Sequence, residues 1–264
     1  MDQIDYNKKQ HNKLGAGYNS KHGEILNDIE QKRRREALAQ ARSFLPEGPG
    51  RPKAMDYGCG TGNLTSHLVE LGFEVHSADI STVFLNHVLS QFPEANPIHL
   101  NGRDLANIED NTFDLVATYS VMHHVPDYLG IIREFCRVVR PGGLVYIDHE
   151  GSPDVWKQIP EYIALRDKYK QPFSVKNLLS PKWYIKRIRK TFNPKYQEEG
   201  DIHVWPDDHI EWDRIAQVLG ECGMEVLVTE DYLLYYAEYD RDEYYRLKDR
   251  LNDCRLVIAR KPIG

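Results

Sequence analysis

Cysteine is scarce and scattered: Cys59, Cys136, Cys222 and Cys254 are the four in 264 residues, and no two form a C-x-x-C pair. That spacing excludes a dense disulfide framework and suits reduced thiols. Long hydrophobic runs are missing as well. No stretch approaches the roughly 18 apolar residues of a membrane span, and Met1-Asp2-Gln3-Ile4-Asp5 lacks the basic-then-apolar order of a secretory leader. A cytoplasmic chain without stable membrane insertion is therefore expected. Basic charge is not in excess: 34 Lys and Arg against 40 Asp and Glu leave a formal charge of -6, whereas a nucleic-acid binder is usually basic. What is abundant is tyrosine, at sixteen residues, on a length that suits one enlarged domain or two small ones.

Residues 1–45 begin polar and turn helical from about Gly23, with Ile25, Leu26, Ile29, Leu38, Ala41 and Leu45 at mixed three- and four-residue spacings. They are assigned as an N-terminal helical lid segment. Pro46-Glu-Gly-Pro-Gly-Arg-Pro52 breaks the helix and marks a boundary. From Lys53 to Glu150, short apolar runs at 53–57, 74–79, 97–100, 113–119 and 143–150 read as strands, with helices at 63–71, 81–92 and 128–140 between them. Such alternation implies parallel strands joined by right-handed crossovers, an α/β sheet covered on both faces. The rhythm fails over 151–206, then resumes with a helix near 207–221 and strands at 224–230 and 254–260. Residues 46–150 and 207–264 are thus assigned as the core. Residues 151–206 are assigned as an inserted substrate cap over the carboxyl ends of the strands, where open α/β sheets bind ligands.

The strongest signal is Asp56-Tyr57-Gly58-Cys59-Gly60-Thr61-Gly62-Asn63, between the first strand and the first helix. Alternate glycines let the backbone turn tightly and approach a ligand, and the helix that follows offers unpaired N–H groups. A dinucleotide loop would read G-x-G-x-x-G; Asn63 stands where that motif needs its third glycine, which counts against NAD. Asp79 closes the second strand, the position of the acid that holds ribose hydroxyls in such sheets, and it could equally cap the helix that follows. Asp104 follows the third strand and offers an acceptor to an exocyclic amine. No Lys or Arg lies between Ala54 and Ile80, so the pocket suits a nucleoside with a cationic tail rather than phosphates.

In this order the residues resemble the class I S-adenosylmethionine-dependent methyltransferases. The resemblance rests on Asp-x-Gly-x-Gly-x-Gly from Asp56, the acid at Asp79, the Asp104-Leu105 pair, Phe113-Asp-Leu-Val116 leading to Ser120-Val-Met-His-His124, and the Pro141-Gly-Gly-Leu144 turn. It is close over 53–150 and looser beyond. It implies a Rossmann-like, mostly parallel seven-stranded sheet with helices on both faces and the last strand antiparallel. It also implies S-adenosyl-L-methionine as cofactor, with Asp56, Gly58, Cys59, Gly60 and Gly62 around the methionine portion, Asp79 at the ribose and Asp104 at the adenine. Ile80, Leu105 and Tyr119 would border the nucleoside. Tyr18, in Gly15-Ala-Gly-Tyr-Asn19, is expected from its position to close over the cofactor.

Methyl transfer to a hydroxyl leaves a proton to remove, so a base is expected near the acceptor. His149, in Asp148-His-Glu150 at the end of the fifth strand, is the first choice, with His123 and His124 after the fourth. Asp201-Ile-His-Val-Trp-Pro-Asp-Asp-His209 contains competent ligands for a divalent ion, but its spacing matches no metal motif and no metal is assigned. Asp207-Asp208 more simply open the next helix. Lys182–Lys190 interleaves apolar residues with five cations, the pattern of a solvated helix face, or of a patch for an anionic substrate or a membrane surface. The expected function is methyl transfer to a small-molecule acceptor, at a hydroxyl oxygen of a biosynthetic or sugar-type substrate. The alternatives are N- or C-methylation, or a cofactor-binding scaffold without chemistry. Six tyrosines from Tyr232 to Tyr245 make residues 231–249 a candidate wall of the acceptor pocket or a subunit interface.

Overall fold

Successive side chains on a strand point to opposite faces, and the buried residues of the central strands obey this: Leu115 and Ala117 join one hydrophobic cluster, Val116 the other. The sheet they belong to is seen in a computed structural model that describes residues 2–14, 23–157, 159–169, 180–196 and 202–263. Its strands are β1 (Lys53–Tyr57), β2 (Glu74–Asp79), β3 (Asn96–His99), β4 (Phe113–Tyr119), β5 (Val139–Gly151), β6 (Glu225–Tyr232) and β7 (Cys254–Arg260), in the order β3-β2-β1-β4-β5-β7-β6. The first five pair in parallel, and β7 runs antiparallel between β5 and β6. This is the mostly parallel Rossmann-like sheet expected from the resemblance.

Ten helices are described: α1 (Gln3–Leu14), α2 (Gly23–Leu26), α3 (Asp28–Phe44), α4 (Asn63–Glu70), α5 (Thr82–Gln91), α6 (Tyr128–Val138), α7 (Pro160–Tyr169), α8 (Pro181–Phe192), α9 (Trp212–Glu221) and α10 (Arg241–Leu247). One face of the sheet is covered by α3 and α4, with Leu38, Ala41, Leu64 and Leu68 packed on Leu115 and Tyr146. The other is covered by α6 and α9, with Ile131, Phe135, Ile215 and Leu219 packed on Val116 and Val145. α3 starts where Asn27 Oδ1 accepts the Glu30 N–H and stops before Pro46, as capping and proline chemistry require. None of the described helices is long and apolar enough to cross a membrane.

Three elements differ from the sequence expectation. The polar opening of the chain is helical, because α1 is tied down by polar side chains rather than by an apolar stripe. The tyrosine-rich stretch after β6 contains α10, capped by Asp240, which accepts the Glu243 N–H. Tyr235, Tyr239 and Tyr244 turn inward there and pack with Leu233 and Leu247 against Tyr162 and Leu165 of α7, as a satellite core. Finally, the helix expected from about Asp207 begins only at Trp212. Asp208 has a left-handed φ of +57° and its carboxylate bonds His203 Nδ1 at 2.5 Å instead of capping a helix.

A bulge in β5 decides which side chains face each side at the end of that strand. Ile147 pairs with Val257 and Glu150 with Arg255, so three steps on β5 oppose two on β7. One extra residue exchanges the faces of everything after it.

Candidate active site

The chain leaves β1 and turns through Gly58, Gly60 and Gly62, whose φ angles are +77°, +49° and +90°. A Cβ on Gly58 would stand 2.5 Å from Val121 Cγ2, which only glycine avoids, whereas one on Gly60 would meet nothing within 4 Å because Gly60 borders an open cleft. Beneath the loop, Asp56 accepts a hydrogen bond from Thr65 Oγ1 at 2.6 Å, and that hydroxyl is 2.9 Å from Ser77 Oγ. Burial pushes the Asp56 carboxyl up to about 7, against the Thr65 hydrogen bond. Asp56 thus clamps α4 to β1 and β2. Cys59 also faces inward, packed with Leu85, Val88 and Ala95, and a Cβ on Gly62 would lie 3.2 Å from Val88 and Phe92. Of the loop residues named from sequence, Gly58 and Gly60 line the cleft.

Asp79 lines the same cleft beside Ile80. Its two oxygens accept the Gly60 N–H at 3.0 Å and the Ser81 N–H at 2.7 Å. Burial raises this carboxyl above the ordinary range, and the two N–H groups oppose the rise. The helix cap that Asp79 could have supplied is Ser81, whose Oγ accepts the Phe84 N–H. Asp104, expected at the adenine, is exposed. Its Oδ1 takes hydrogen bonds from Asn101 Nδ2 at 2.8 Å and the Ala106 N–H at 3.2 Å, which hold its carboxyl below the usual range. The turn therefore closes on its own side chains, and Leu105 is buried in the core. This loop meets the cleft through Leu100 and Gly102.

The strand ends sort the histidines. Tyr119 donates its hydroxyl to Glu30 Oε1 at 2.9 Å, with the Arg34 guanidinium 4.0 Å from the centre of its ring and the His149 ring stacked at 4.5 Å. Its neighbour Ser120, at φ +58°, is the residue that lines the cleft. The β5 bulge and a φ of +61° turn His149 onto Tyr119, and burial lowers its pKa to about 4, making it a weak base. Asp148 is occupied by Tyr146 and Tyr232 hydroxyls, at 2.6 and 2.9 Å, and by Arg33 at 2.9 Å. Glu150 takes the face that His149 would have had: it accepts the Val121 and Met122 N–H groups and bonds His123 Nδ1 at 2.9 Å. His124 lines the cleft. His203, from the segment returning to the sheet, completes a trio, with ring centroids 4.8 Å from His123 and 4.3 Å from His124.

Tyr18 lies outside the described residues. Among the described residues, α1 covers the cleft through Ile4, Asn7 and His11. Asn7 exchanges two 2.8 Å hydrogen bonds with the Ile202 backbone, and Asn12 Oδ1 accepts Ser81 Oγ–H at 2.7 Å. The available sequence signal was the four-residue spacing of Asn7 and His11, which puts both on one helix face. Arg34 of α3 carried no signal at all. It is fully buried and donates from Nη2 to Ile25 O at 2.7 Å, while its Nε and Nη1 have no hydrogen-bond acceptor.

A family profile described as "Methyltransferase domain" matches residues 55–147. The chain is 30% identical over 211 residues to a demethylmenaquinone methyltransferase of Bacillus cereus, a match that covers 76% of the chain and 82% of that relative. The chain belongs to the class I S-adenosylmethionine-dependent methyltransferases. This methyltransferase is also 33% identical over 96 residues to a ubiquinone biosynthesis O-methyltransferase of Colwellia psychrerythraea, a match that covers 35% of the chain and 39% of that relative. Its fold is similar to that of magnesium protoporphyrin IX methyltransferase from Synechocystis, solved with bound SAH, at a TM-score of 0.57 and 15% identity over 98% of this chain and 100% of the other. The enzyme uses S-adenosylmethionine as methyl donor and acts on a small molecule. The cleft fits that donor. Gly60 leaves its floor open, Asp79 presents a carboxylate, and none of the described residues lining it is Lys or Arg, which favours a nucleoside bearing positive charge over a phosphate.

Proposed function

We propose that this methyltransferase transfers the methyl group to a hydroxyl oxygen of a small, largely apolar ring of the quinol type. The observation that carries the reading is His124 on an otherwise apolar stretch of the cleft wall, between Val121 and Val125-Pro126 and facing α1. Such a wall accommodates a flat ring, with His124 the polar side chain on this stretch and Ser120, Asn7 and His11 on the adjoining and facing lining. The names borne by the two relatives, a demethylmenaquinone methyltransferase and a ubiquinone biosynthesis O-methyltransferase, support the acceptor class, and the second supports the atom.

S-adenosylmethionine, when bound, supplies an electrophilic methyl group on a sulfonium whose leaving thioether is neutral. The chain's own part is to hold the two partners in line and exclude water, contributions worth on the order of 7–11 kcal/mol in favourable systems. Asp79 would accept the ribose hydroxyls, and the side-chain-free backbone at Gly58 and Gly60 would border the methionine end. Asp56 would keep the loop in shape from below through Thr65. α1 would shut the cleft, His123 would position His124 through the Glu150 tie, and His149 would remain a packing partner of Tyr119.

The function itself is tested by supplying isotopically labelled S-adenosylmethionine with a catechol-type ring, the same ring with its hydroxyls blocked, and a sugar diol, and locating the label by mass spectrometry. The expected product is the aryl methyl ether from the free hydroxyl alone. Label on ring carbon, or transfer to the sugar only, would replace this reading.

A further inference from the structure

Three imidazoles meet where three parts of the chain converge. His123 and His124 stand on the short helical turn after β4, and His203 on the segment that returns from the inserted region. The Val204 N–H donates to His123 O at 2.8 Å, and Gln3 of α1 donates to Ile202 O at 3.0 Å, so backbone and lid hold the meeting point together. One ring nitrogen from each histidine lies within 4.8 Å of the others.

We propose that His123, His124 and His203 form a site for one divalent transition ion of the zinc class, at the wall of the cleft. Nitrogens about 2.0–2.1 Å from such an ion at tetrahedral angles stand about 3.4 Å apart, so ring rotations moving these atoms by about an ångström close the set. Two of the three rings are already oriented by carboxylates on their far side. Glu150 Oε2 is 2.9 Å from His123 Nδ1, and Asp208 Oδ1 is 2.5 Å from His203 Nδ1. This is the carboxylate–histidine relay that fixes a ligand's tautomer and leaves Nε2 for the metal. The backbone already bends to supply it: Asp208 takes a left-handed φ of +57°, and the β5 bulge delivers Glu150 to this face. A set of imidazoles without a direct carboxylate ligand selects zinc, nickel, copper or iron over magnesium or calcium. Three protein ligands leave a fourth position, and His124 sets it beside the cleft.

This assignment deepens the proposed reaction, on which only its consequence rests: an acceptor hydroxyl taken as fourth ligand is held as the oxyanion, its proton passing to solvent water, with no change in oxidation state. The site itself is tested without turnover. The full chain is stripped with a chelator and titrated with Co(II), followed by visible absorption, and with Zn(II), followed by calorimetry. One ion per chain is expected, with intense visible bands. His203→Ala should weaken binding at least about 100-fold, and the near-isosteric Asp208→Asn by about 10–100-fold, with S-adenosylhomocysteine affinity retained in both as the check on folding. No ion taken up at millimolar metal, or equal uptake by wild type and His203→Ala, overturns the site. Aryl ether formation by a chain that takes up no ion removes the metal and leaves the reaction. One ion bound as described, with no ether from any acceptor, establishes the site and removes the reaction.

Discussion

His124→Ala should slow methyl transfer by about 10²–10⁴-fold, the range typical of removing a group that handles a proton or developing charge at the reacting atom. The loss should appear in kcat, with the dissociation constant of S-adenosylmethionine unchanged. The reason is placement. Gly60 and Asp79 line the cleft where β1 and β2 end, whereas His124 lines it with Val121, Val125 and Pro126 after the end of β4. Its ring is packed 4.1 Å from His123 and 5.9 Å from His11, so truncation removes a polar group from a built surface rather than from the core. Turnover within about threefold of wild type at saturating acceptor would show that His124 does not meet the acceptor oxygen. His149→Ala supplies the contrast, because its ring stacks on Tyr119 away from the lining of the cleft and should change stability more than kcat.

Asp79→Ala should weaken S-adenosylmethionine binding by roughly 100-fold or more, since the two ribose hydrogen bonds proposed for this carboxylate, at about 1.5–3 kcal/mol each, would be lost. Asp79 also accepts the Gly60 and Ser81 N–H groups, so the variant leaves the glycine loop less constrained. Asp79→Asn keeps one acceptor oxygen and loses the charge, and its amide NH2 faces one of the two backbone N–H groups, so it should bind with intermediate affinity at a lowered melting temperature. Equal affinity of wild type and Asp79→Ala, measured by calorimetry with S-adenosylmethionine and S-adenosylhomocysteine, would take the donor out of this cleft.

The fold and half of the cleft could be read in advance because the signals are local. The β1 glycine loop, the acid at the end of β2 and the turn after β4 each follow a strand end within a few residues. An open parallel sheet brings all its carboxyl ends to one edge. Asp104 shows where that reasoning stops: its position after β3 is as expected, but Asn101 and Ala106 bond its carboxylate within its own turn. The tyrosines make the same point about composition. Tyr235, Tyr239 and Tyr244 join a satellite core and none of them lines the candidate active-site cleft, because α10 folds them against α7.

By itself the sequence determined the alternating strands and helices of an α/β sheet and the Gly58, Gly60, Asp79 and Ile80 lining of the cleft, through backbone requirements that operate over short stretches, and the resemblance these residues carry implied the methyltransferase fold and the donor. Only the tertiary structure decided which polar groups reach the acceptor side. Strict alternation along β5 would place His149 on the face of Ile147, and one inserted residue gives that face to Glu150 instead. Likewise His203 meets His123 across 80 positions of chain, and α1 is tied over the cleft by hydrogen bonds of Asn7 and Gln3 to the Ile202 backbone, contacts that no periodicity announces. Register slips and long-range polar ties cost the sequence one residue or one side chain each, too little to leave a pattern, yet they set the chemistry of the wall.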